Sequence, residues 1–240
     1  MLALLDGDII VYRIGFTTEN DSSEVACWRA QETVEKILSD VGATEYKVYL
    51  TTEGDPTAFR PTVYPEYKAN RKAPKPKWYH AIRDFLQVQW GAEVVKYLEA
   101  DDALGITQMQ HNDPDIDNMG CLESVICSID KDLKQIPGHH YNFVKEEKSF
   151  VTDSGGRYYF YKQLLTGDSA DNIKGVSGVG EKTAEKILAG KNTEEDLFQA
   201  VRETYQNDGE MLMNGRVLWI WKKPDDDWRQ YWERLSEVSD

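Results

Sequence analysis

Acidic side chains follow several apolar stretches of this sequence, where their oxygens could bind cations. The stretches are residues 2–12, 45–52, 92–98 and 124–130, and a later GDSAD motif adds two more acids. The acids in question are Asp6, Asp8, Glu53, Asp55, Glu99, Asp101, Asp102, Asp130, Asp132, Asp168 and Asp171. Because ligands of open parallel sheets bind beyond the carboxyl ends of the strands, we expect these acids to meet in one pocket.

Carboxylates that converge in one pocket need cations between them. Two like charges ~4 Å apart repel by about 4 kcal/mol at an effective dielectric constant near 20, so a cluster stays ionised only if cations join it. No His or Cys accompanies these acids, and oxygen ligands suit Mg²⁺ or Mn²⁺ rather than Zn²⁺. The number of acids predicts two divalent ions, a pairing suited to in-line displacement at phosphorus. Any single acid could instead cap a helix.

The apolar stretches themselves predict a parallel sheet. Each is mostly apolar rather than alternating, as expected for strands that are covered on both faces. Helical patterns at residues 22–42, 78–91 and 100–110 separate them, which gives the order β-α-β-α-β-α-β. This order predicts a doubly wound α/β domain. Residues 111–120 are interpreted as a loop, and the chain from Gly175 onward as helical and polar.

Composition limits the class of protein. A chain of 240 residues suffices for one α/β domain with a small appendage. No stretch approaches the roughly 20 apolar residues of a membrane span, and Cys27, Cys121 and Cys127 lack metal-ligand spacing. We therefore expect a soluble protein of the reducing cytoplasm.

One segment reverses the net charge of −14. From residue 60 to residue 83 the only acid is Glu66, and the window carries about +6. Aromatic residues interleave with its cations, which are Arg60, Lys68, Arg71, Lys72, Lys75, Lys77 and Arg83. Stacking rings beside cations are typical of single-stranded nucleic acid binding. The alternative is a solvated basic loop whose rings pack on the core.

The KGVSGVGEKT turn offers a second phosphate contact. It is not a P-loop, because Glu181 stands where that motif requires Lys. A helix N-terminus nevertheless favours anions. The glycines and lysines that would approach a DNA phosphate are Lys174, Gly175, Gly178, Gly180, Lys182 and Lys186. The alternative is an ordinary glycine-rich helix start.

Five motifs together resemble a known family. LLDGD, FRPTVYPEYKANRK, LEADDALG, SIDKDLKQI and LLTGDSADNIKGVSGVGEKTAEKIL are similar, in order and spacing, to the flap endonuclease/5′-nuclease family, over roughly residues 1–190. The likeness is greatest to bacteriophage 5′-3′ exonucleases and to the 5′-nuclease domain of bacterial DNA polymerase I. It implies a PIN-like core at residues 1–165, a helical arch within residues 60–98, and a helix-three-turn-helix DNA-binding region with a C-terminal extension at residues 166–240.

The resemblance also implies roles for individual residues. Asp6, Glu99, Asp101 and Asp130 match ligands of a first metal ion, with Glu53 at a usual aspartate position for which Asp55 competes. Asp132, Asp168 and Asp171 match ligands of a second ion, and Asp102 supports both. Tyr67, Lys68 and Arg71 match the base of the arch, where Lys68 contacts the scissile phosphate. The GVSGVG turn is similar to one that holds K⁺ through carbonyl oxygens.

The resemblance implies a Mg²⁺-dependent nuclease that cuts near 5′ ends, flaps or nicks of DNA, with RNA–DNA hybrids as a further substrate. Asp6, Asp101, Asp130, Lys68 and Arg71 are its expected catalytic residues. We expect a monomer that works beside replication proteins, in a phage-infected cell if the source is a phage. Exonuclease and flap-endonuclease activities both stay open. Two alternatives are a haloacid-dehalogenase-type phosphatase that uses DGD and a non-catalytic DNA-structure binding module.

Overall fold

A six-stranded sheet lies at the centre of the computed structural model, which describes residues 1–112 and 123–237. The strands are β1 (Leu2–Asp6), β2 (Glu45–Thr51), β3 (Glu93–Val95), β4 (Ser124–Cys127), β5 (Gly138–Asn142) and β6 (Glu147–Val151). Their spatial order is β3-β2-β1-β4-β5-β6, and every neighbouring pair is parallel except β5 with β6. The predicted parallel α/β sheet is thus confirmed.

Helices connect and cover the strands. Their bounds are α1 (Gly7–Thr17), α2 (Ser23–Val41), α3 (Phe59–Val63), α4 (Tyr79–Trp90), α5 (Ala100–His111), α6 (Asp153–Thr166), α7 (Glu181–Leu188), α8 (Glu194–Tyr205), α9 (Asp208–Leu218) and α10 (Arg229–Glu237). A 3₁₀ turn spans Asp132–Gln135. Between α6 and α7 a small antiparallel pair is formed by β7 (Gly167–Asp168) and β8 (Ile173–Lys174).

Both faces of β1 are buried, which explains its continuous apolar sequence. Ala3 and Leu5 pack with α1, α2 and α4, whereas Leu2 and Leu4 pack with α5 on the opposite face. Since side chains alternate along a strand, a strand covered twice needs apolar residues at every position. The strand order reverses between β2-β1 and β4, so the carboxyl ends of these strands face one crevice.

Two expectations about local structure need correction, and a third stays open. The first stretch does not remain a strand to residue 12, because the side chain of Asp6 accepts from the backbone N–H of Ile9 at 3.0 Å and starts α1 at Gly7. The sequence pattern also missed β5 and β6, whose residues are largely polar and partly exposed. The segment expected to form a helical arch, residues 60–98, contains most of α3 and all of α4, with no helix at residues 64–78 between them, and the arch stays a prediction.

The expected loop at residues 111–120 falls mostly outside the described residues. α5 continues to His111, and residues 113–120 are not described. Cys27 and Cys127 are free thiols, whereas Cys121 also lies outside the described ranges. None of the helices within residues 1–112 and 123–237 has the length and apolar character that crossing a membrane requires.

The C-terminal tryptophans pack into a large aromatic core. The ring of Trp219 lies 4.8 Å from that of Phe160, and Trp221 lies 5.3 Å from Phe59. One apolar cluster therefore joins α3 and α6 to residues 197–235, and it crosses the proposed boundary between residues 165 and 166. The division into two domains stays a prediction.

Candidate active site

Asp6, which is buried, and Asp101, which is half-buried, lie close enough for their charges to interact. Asp6 ends β1, and the hydroxyl of Ser128 donates to its Oδ2 at 2.7 Å. Burial and the nearby charge of Asp8 raise the pKa of Asp6 to about 7. Asp101 lies in the first turn of α5, and burial together with the charges of Asp6 and Asp130 raises its pKa well above the ordinary value. These acids therefore lie within electrostatic reach of one another.

The segment after β4 adds two acids to the same pocket. The backbone N–H of Asp130 donates to Ser128 Oγ at 3.0 Å, and that of Asp132 donates to Asp130 Oδ1 at 2.8 Å. Burial, followed by the charges of neighbouring acids, raises the pKa of Asp130 and raises that of Asp132 to about 7. The turn after β4 thus directs both carboxylates toward acids from other elements.

Asp168 and Asp171 come from the β7–β8 pair and are matched by cations. Lys131 Nζ lies 3.0 Å from Asp168 Oδ2, and the N–H of Ala170 donates to Asp168 Oδ1 at 2.8 Å. Although burial opposes ionisation, the hydrogen bonds from Lys131 and from the Ala170 N–H, together with the charge of Lys131, lower the pKa of Asp168. Arg71 forms a salt bridge with Asp171. Lys131 was not among the predicted site residues, although it lies inside the SIDKDLKQI motif.

Lys68 and Tyr67 belong to the basic segment of residues 60–83, called the basic connection below, and they contact the acids of the site. Lys68 Nζ lies 2.7 and 2.9 Å from the two carboxylate oxygens of Glu99. The Tyr67 hydroxyl lies 2.9 Å from Glu99 Oε2 and 3.0 Å from Asp171 Oδ2, so it donates to either acid. Burial raises the pKa of Glu99, but the charges of Lys68 and Arg60 outweigh burial and lower the pKa to about 2. The base of the connection is thus fixed to the site.

Asp102 lies behind the other acids rather than among them. Its Oδ2 and Oδ1 accept from Arg60 at 2.5 and 2.8 Å, and the N–H groups of Glu99 and Trp221 donate to the same carboxylate at 3.1 and 3.0 Å. The side chain is fully buried. This geometry gives Asp102 a supporting role for the start of α5, which carries Glu99 and Asp101.

Two residues expected to bind DNA are not available for it. Arg60 is only 4% exposed, and it also donates to the carbonyls of Val217 and Trp219. Its charge is used inside the protein, which a count of charges along the sequence cannot reveal. Tyr67 is 7% exposed, so its ring packs in the core while its hydroxyl orients acids.

The remaining basic residues of the connection differ in their contacts. Lys72 is exposed, whereas Lys75 forms a salt bridge with Glu53 and lies 4.3 Å from the centre of the Tyr79 ring. Lys77 stacks at 4.3 Å on Trp78. Some cations of the connection therefore contact acids of the site, whereas others, such as Lys72, are exposed to solvent.

Glu53 and Asp55 occupy different surroundings. Glu53 contacts Lys75 and also His80, 3.5 Å away, so it faces the basic connection. Asp55 accepts from the backbone N–H groups of Thr57 and Tyr97 at 2.8 Å each, which braces a loop. The choice between Glu53 and Asp55 as metal ligand stays a prediction.

The glycine turn, residues 175–180, is closely packed at its first residue and exposed toward its end. At Gly175 a Cβ atom would meet backbone atoms of residues 165–167 within 2.4 Å, so only glycine fits there. Gly178 has a φ of +78°, and a Cβ on Gly178 or Gly180 would meet nothing within 4 Å. Lys174 and Lys182 are exposed beside this turn. Its backbone is thus open to a phosphate or a cation.

The donors of the acid cluster suit a hard divalent ion, since they are all carboxylate oxygens. In the side-chain arrangement of residues 1–112 and 123–237, no three acidic, His or Cys side chains already surround one point closely enough to bind a metal ion. Lys68, Arg71 and Lys131 instead hold Glu99, Asp171 and Asp168, as the salt bridges above show. The assignment of ligands to two ions stays a prediction.

Comparisons with known proteins agree with this architecture. Residues 1–162 match the family model described as "5′-3′ exonuclease, N-terminal resolvase-like domain". A 5′-3′ exonuclease of Buchnera aphidicola (subsp. Schizaphis graminum) is 27% identical over 224 residues, which cover 86% of this chain and 73% of that protein. DNA polymerase I of Bacillus subtilis is 26% identical over 84% of this chain, which spans only 24% of the polymerase.

Solved structures show the same fold over the whole chain. The D15 protein of bacteriophage T5, co-crystallised with metal ions, superposes with a TM-score of 0.72 at 16% identity and covers 100% of this chain and 99% of its own. A complex of the T5 D15 flap endonuclease with DNA and metal ions has a TM-score of 0.61 at 16% identity, covering 99% and 98%. With the match of its first 162 residues, this chain belongs to the family of 5′-3′ exonucleases with an N-terminal resolvase-like domain.

Proposed function

We propose that this chain is a structure-specific 5′-nuclease that uses two Mg²⁺ or Mn²⁺ ions to hydrolyse phosphodiester bonds near 5′ ends or flaps of DNA. Membership of the 5′-3′ exonuclease family makes it a nuclease and a hydrolase. One observation carries the rest. Acids from β1, the start of α5, the turn after β4 and the β7–β8 pair lie in one pocket, directly beneath the basic connection.

The acids divide between two ions in this proposal. Asp6, Glu99, Asp101 and Asp130, with Glu53, would hold the first, and Asp132, Asp168 and Asp171 would hold the second. When bound, such ions lower the pKa of water and offset charge on a phosphoryl group. A structure of the T5 5′-exonuclease has divalent metal ions (zinc) bound, which supports the use of divalent ions here.

Cations of the connection would act on the phosphate itself. Lys68 and Arg71 already form salt bridges with Glu99 and Asp171. A phosphate that enters the pocket can replace these carboxylates as the acceptor of the N–H groups of Lys68 and Arg71. Such donors stabilise the charge that develops on phosphate oxygens in the transition state. Exposed Lys72, near the connection's base, would then hold DNA near the pocket.

The glycine turn would bind the duplex away from the cut. Its open backbone beside Lys174 and Lys182 suits a phosphate, and the carbonyl oxygens of the turn would hold a K⁺ ion that offsets phosphate charge. Named relatives include DNA polymerase I, which supports a place in replication. RNA–DNA hybrids as substrates, replication proteins as partners, a monomeric state and a cytoplasmic location complete the proposal.

The decisive experiment is analysis of product length on 5′-labelled flap, nicked and blunt DNA. We expect cleavage with Mg²⁺ or Mn²⁺ and none in EDTA. Products of one nucleotide would indicate exonuclease action, and products of flap length would indicate endonuclease action. An RNA-containing 5′ strand in the same assay tests the hybrid substrate.

Two further assays separate the alternatives. Hydrolysis of a small phosphate ester without cleavage of DNA would indicate the phosphatase. Binding of flap DNA without cleavage in Mn²⁺ would indicate a non-catalytic binding module and would contradict the proposal.

A further inference from the structure

A chain of two buried glutamines connects the acid pocket to the C-terminal segment. Gln135 lies at the end of the 3₁₀ turn that begins with Asp132, and it is fully buried. Its Nε2 donates to Gln163 Oε1 and to the carbonyl of Leu218, both at 2.8 Å. Gln163 Nε2 in turn donates to Asp132 Oδ1 at 2.7 Å.

The C-terminal backbone determines how both amides are oriented. Ile220 offers an N–H, which lies 3.2 Å from Gln135 Oε1, and Leu218 offers a carbonyl. A backbone N–H only donates and a carbonyl only accepts, so Gln135 must direct its oxygen at Ile220 and its NH₂ at Leu218. The same NH₂ meets Gln163 Oε1, which leaves the NH₂ of Gln163 for Asp132.

The result is a donor fixed against one oxygen of the carboxylate. Gln163 is 4% exposed, so its amide has no ready alternative in water. Asp132 Oδ1 accepts the Gln163 bond, and among the described residues Oδ2 takes part in no hydrogen bond or salt bridge. A carboxylate held at one oxygen presents the other in a defined direction.

We propose that Gln163 and Gln135 are positioning residues for Asp132, with residues 218–220 setting their orientation. The inference rests on the proposed function only in taking Asp132 as a ligand of the second ion. Hydrogen-bond partners behind metal ligands typically change metal affinity or activity by roughly 10–100-fold when they are removed. Gln163 and Gln135 are not catalytic, because Asp132 lies between them and any ion.

The test compares Gln163→Leu and Gln135→Met with Gln108→Leu as a matched control. Gln108 is also fully buried, but its amide bonds the carbonyls of Pro137 and His139, away from the acids. Mn²⁺ binding is measured on the full chain by electron paramagnetic resonance of free Mn²⁺, without DNA. We expect roughly 10-fold weaker binding of one of the two ions in Gln163→Leu and Gln135→Met, and unchanged binding in Gln108→Leu.

Folding and function are checked separately. Thermal unfolding shows whether each variant folds, and Gln163→Asn, which keeps the amide but shortens its reach, provides a second folded variant with the same expected loss. In an Asp132→Asn background, Gln163→Leu should have no further effect on Mn²⁺ binding. A Gln163→Leu effect no larger than that of Gln108→Leu, or one that persists without the Asp132 carboxylate, would overturn the inference. Failure of wild-type cleavage would contradict the proposed function while leaving this binding result intact.

Discussion

The carboxyl groups in two parts of the pocket have pKa values that are shifted in opposite directions. Asp6 is buried, Asp101 and Asp130 are half-buried near it, and within the described ranges no Lys or Arg forms a salt bridge with any of the three. Burial and mutual repulsion therefore raise their pKa values. Glu99 and Asp168 are paired with Lys68 and Lys131, and their pKa values are lowered.

The difference shows which acids depend on an added cation. Burying a charge without a partner is costly, whereas a paired and hydrogen-bonded charge is tolerated. Divalent ions would therefore stabilise the ionised form of the unpaired group of Asp6, Asp101 and Asp130 most strongly. The paired group is neutralised by the chain itself, through residues that substrate or metal can displace.

Neutralising one unpaired acid gives the largest expected effect. Asp101→Asn or Asp130→Asn should lower cleavage by about 10³-fold, which corresponds to roughly 4 kcal/mol of transition-state stabilisation. In EDTA the same variants should unfold at a higher temperature than wild type, because a repelling charge is removed. Single-turnover cleavage and thermal unfolding measure the two effects.

The matched change in the paired group sharpens the contrast. Asp168→Asn removes the partner of Lys131, so its unfolding temperature in EDTA should fall rather than rise. Equal shifts of the same sign in Asp101→Asn and Asp168→Asn would break the distinction between the two groups.

Among the acids that are paired with cations, Asp102 should contribute most to the free energy of unfolding through its pair with Arg60. Arg60→Met leaves Asp102 buried without its cation, and breaking one partner of a buried pair costs about 3–5 kcal/mol. Denaturant unfolding in Mg²⁺ measures the loss. The double variant Arg60→Met/Asp102→Leu should regain much of it, since no uncompensated charge remains. A double variant no more stable than the single one would contradict this explanation.

Lys68→Met should act on the reaction more than on folding. Lys68 is placed to contact both Glu99 and an incoming phosphate, and removal of one such donor costs about 10²–10³-fold in rate. Lys72→Met, an exposed cation of the same connection, serves as the control and should mainly weaken binding at higher salt. Equal losses of turnover in the two variants would remove Lys68 from the catalytic group.

The sequence predicted the acids of the site better than the residues that hold them. Asp6, Asp101 and Asp130 could be found because parallel strands must end at one edge, and residue order locates those ends. Arg60 was misassigned because a count of charges does not show whether a side chain faces water or the interior. Gln163 was missed because its bond to Asp132 joins residues 31 positions apart.

The fold was predictable to a similar degree. The apolar residues of β1 and β4 indicate buried parallel strands, whereas β5 and β6 carry residues such as His139 and Lys148 that resemble loop sequence. They form strands because backbone pairing extends the sheet from β4, which is a tertiary effect. The C-terminal tryptophans were left as structural residues, and their packing against Phe160 and Phe59 agrees with that interpretation.

The pH dependence of stability gives the smallest expected effect per step and tests both groups at once. Asp6 has a pKa of about 7 in the folded chain against an ordinary value of 3.8, so the folded chain keeps a proton that the unfolded chain releases. Its stabilising contribution is complete below about pH 4 and is lost as the pH rises through 7. Glu99, with a pKa of about 2, behaves oppositely and loses its contribution as the pH falls from 4.5 through 2.

Urea unfolding in EDTA between pH 5 and pH 8 isolates the first of these terms. The free energy of unfolding should fall as the pH rises toward 7, by at most about 1.4 kcal/mol per pH unit for each group that titrates. Asp6→Asn should reduce the slope, whereas Asp84→Asn on the exposed side of α4 should not. Saturating Mg²⁺ should flatten the slope, because bound ions favour the ionised acids. A free energy of unfolding in EDTA that rises with pH over this window would show that cations of the chain already neutralise Asp6. The distinction between the unpaired and the paired acids would then be wrong.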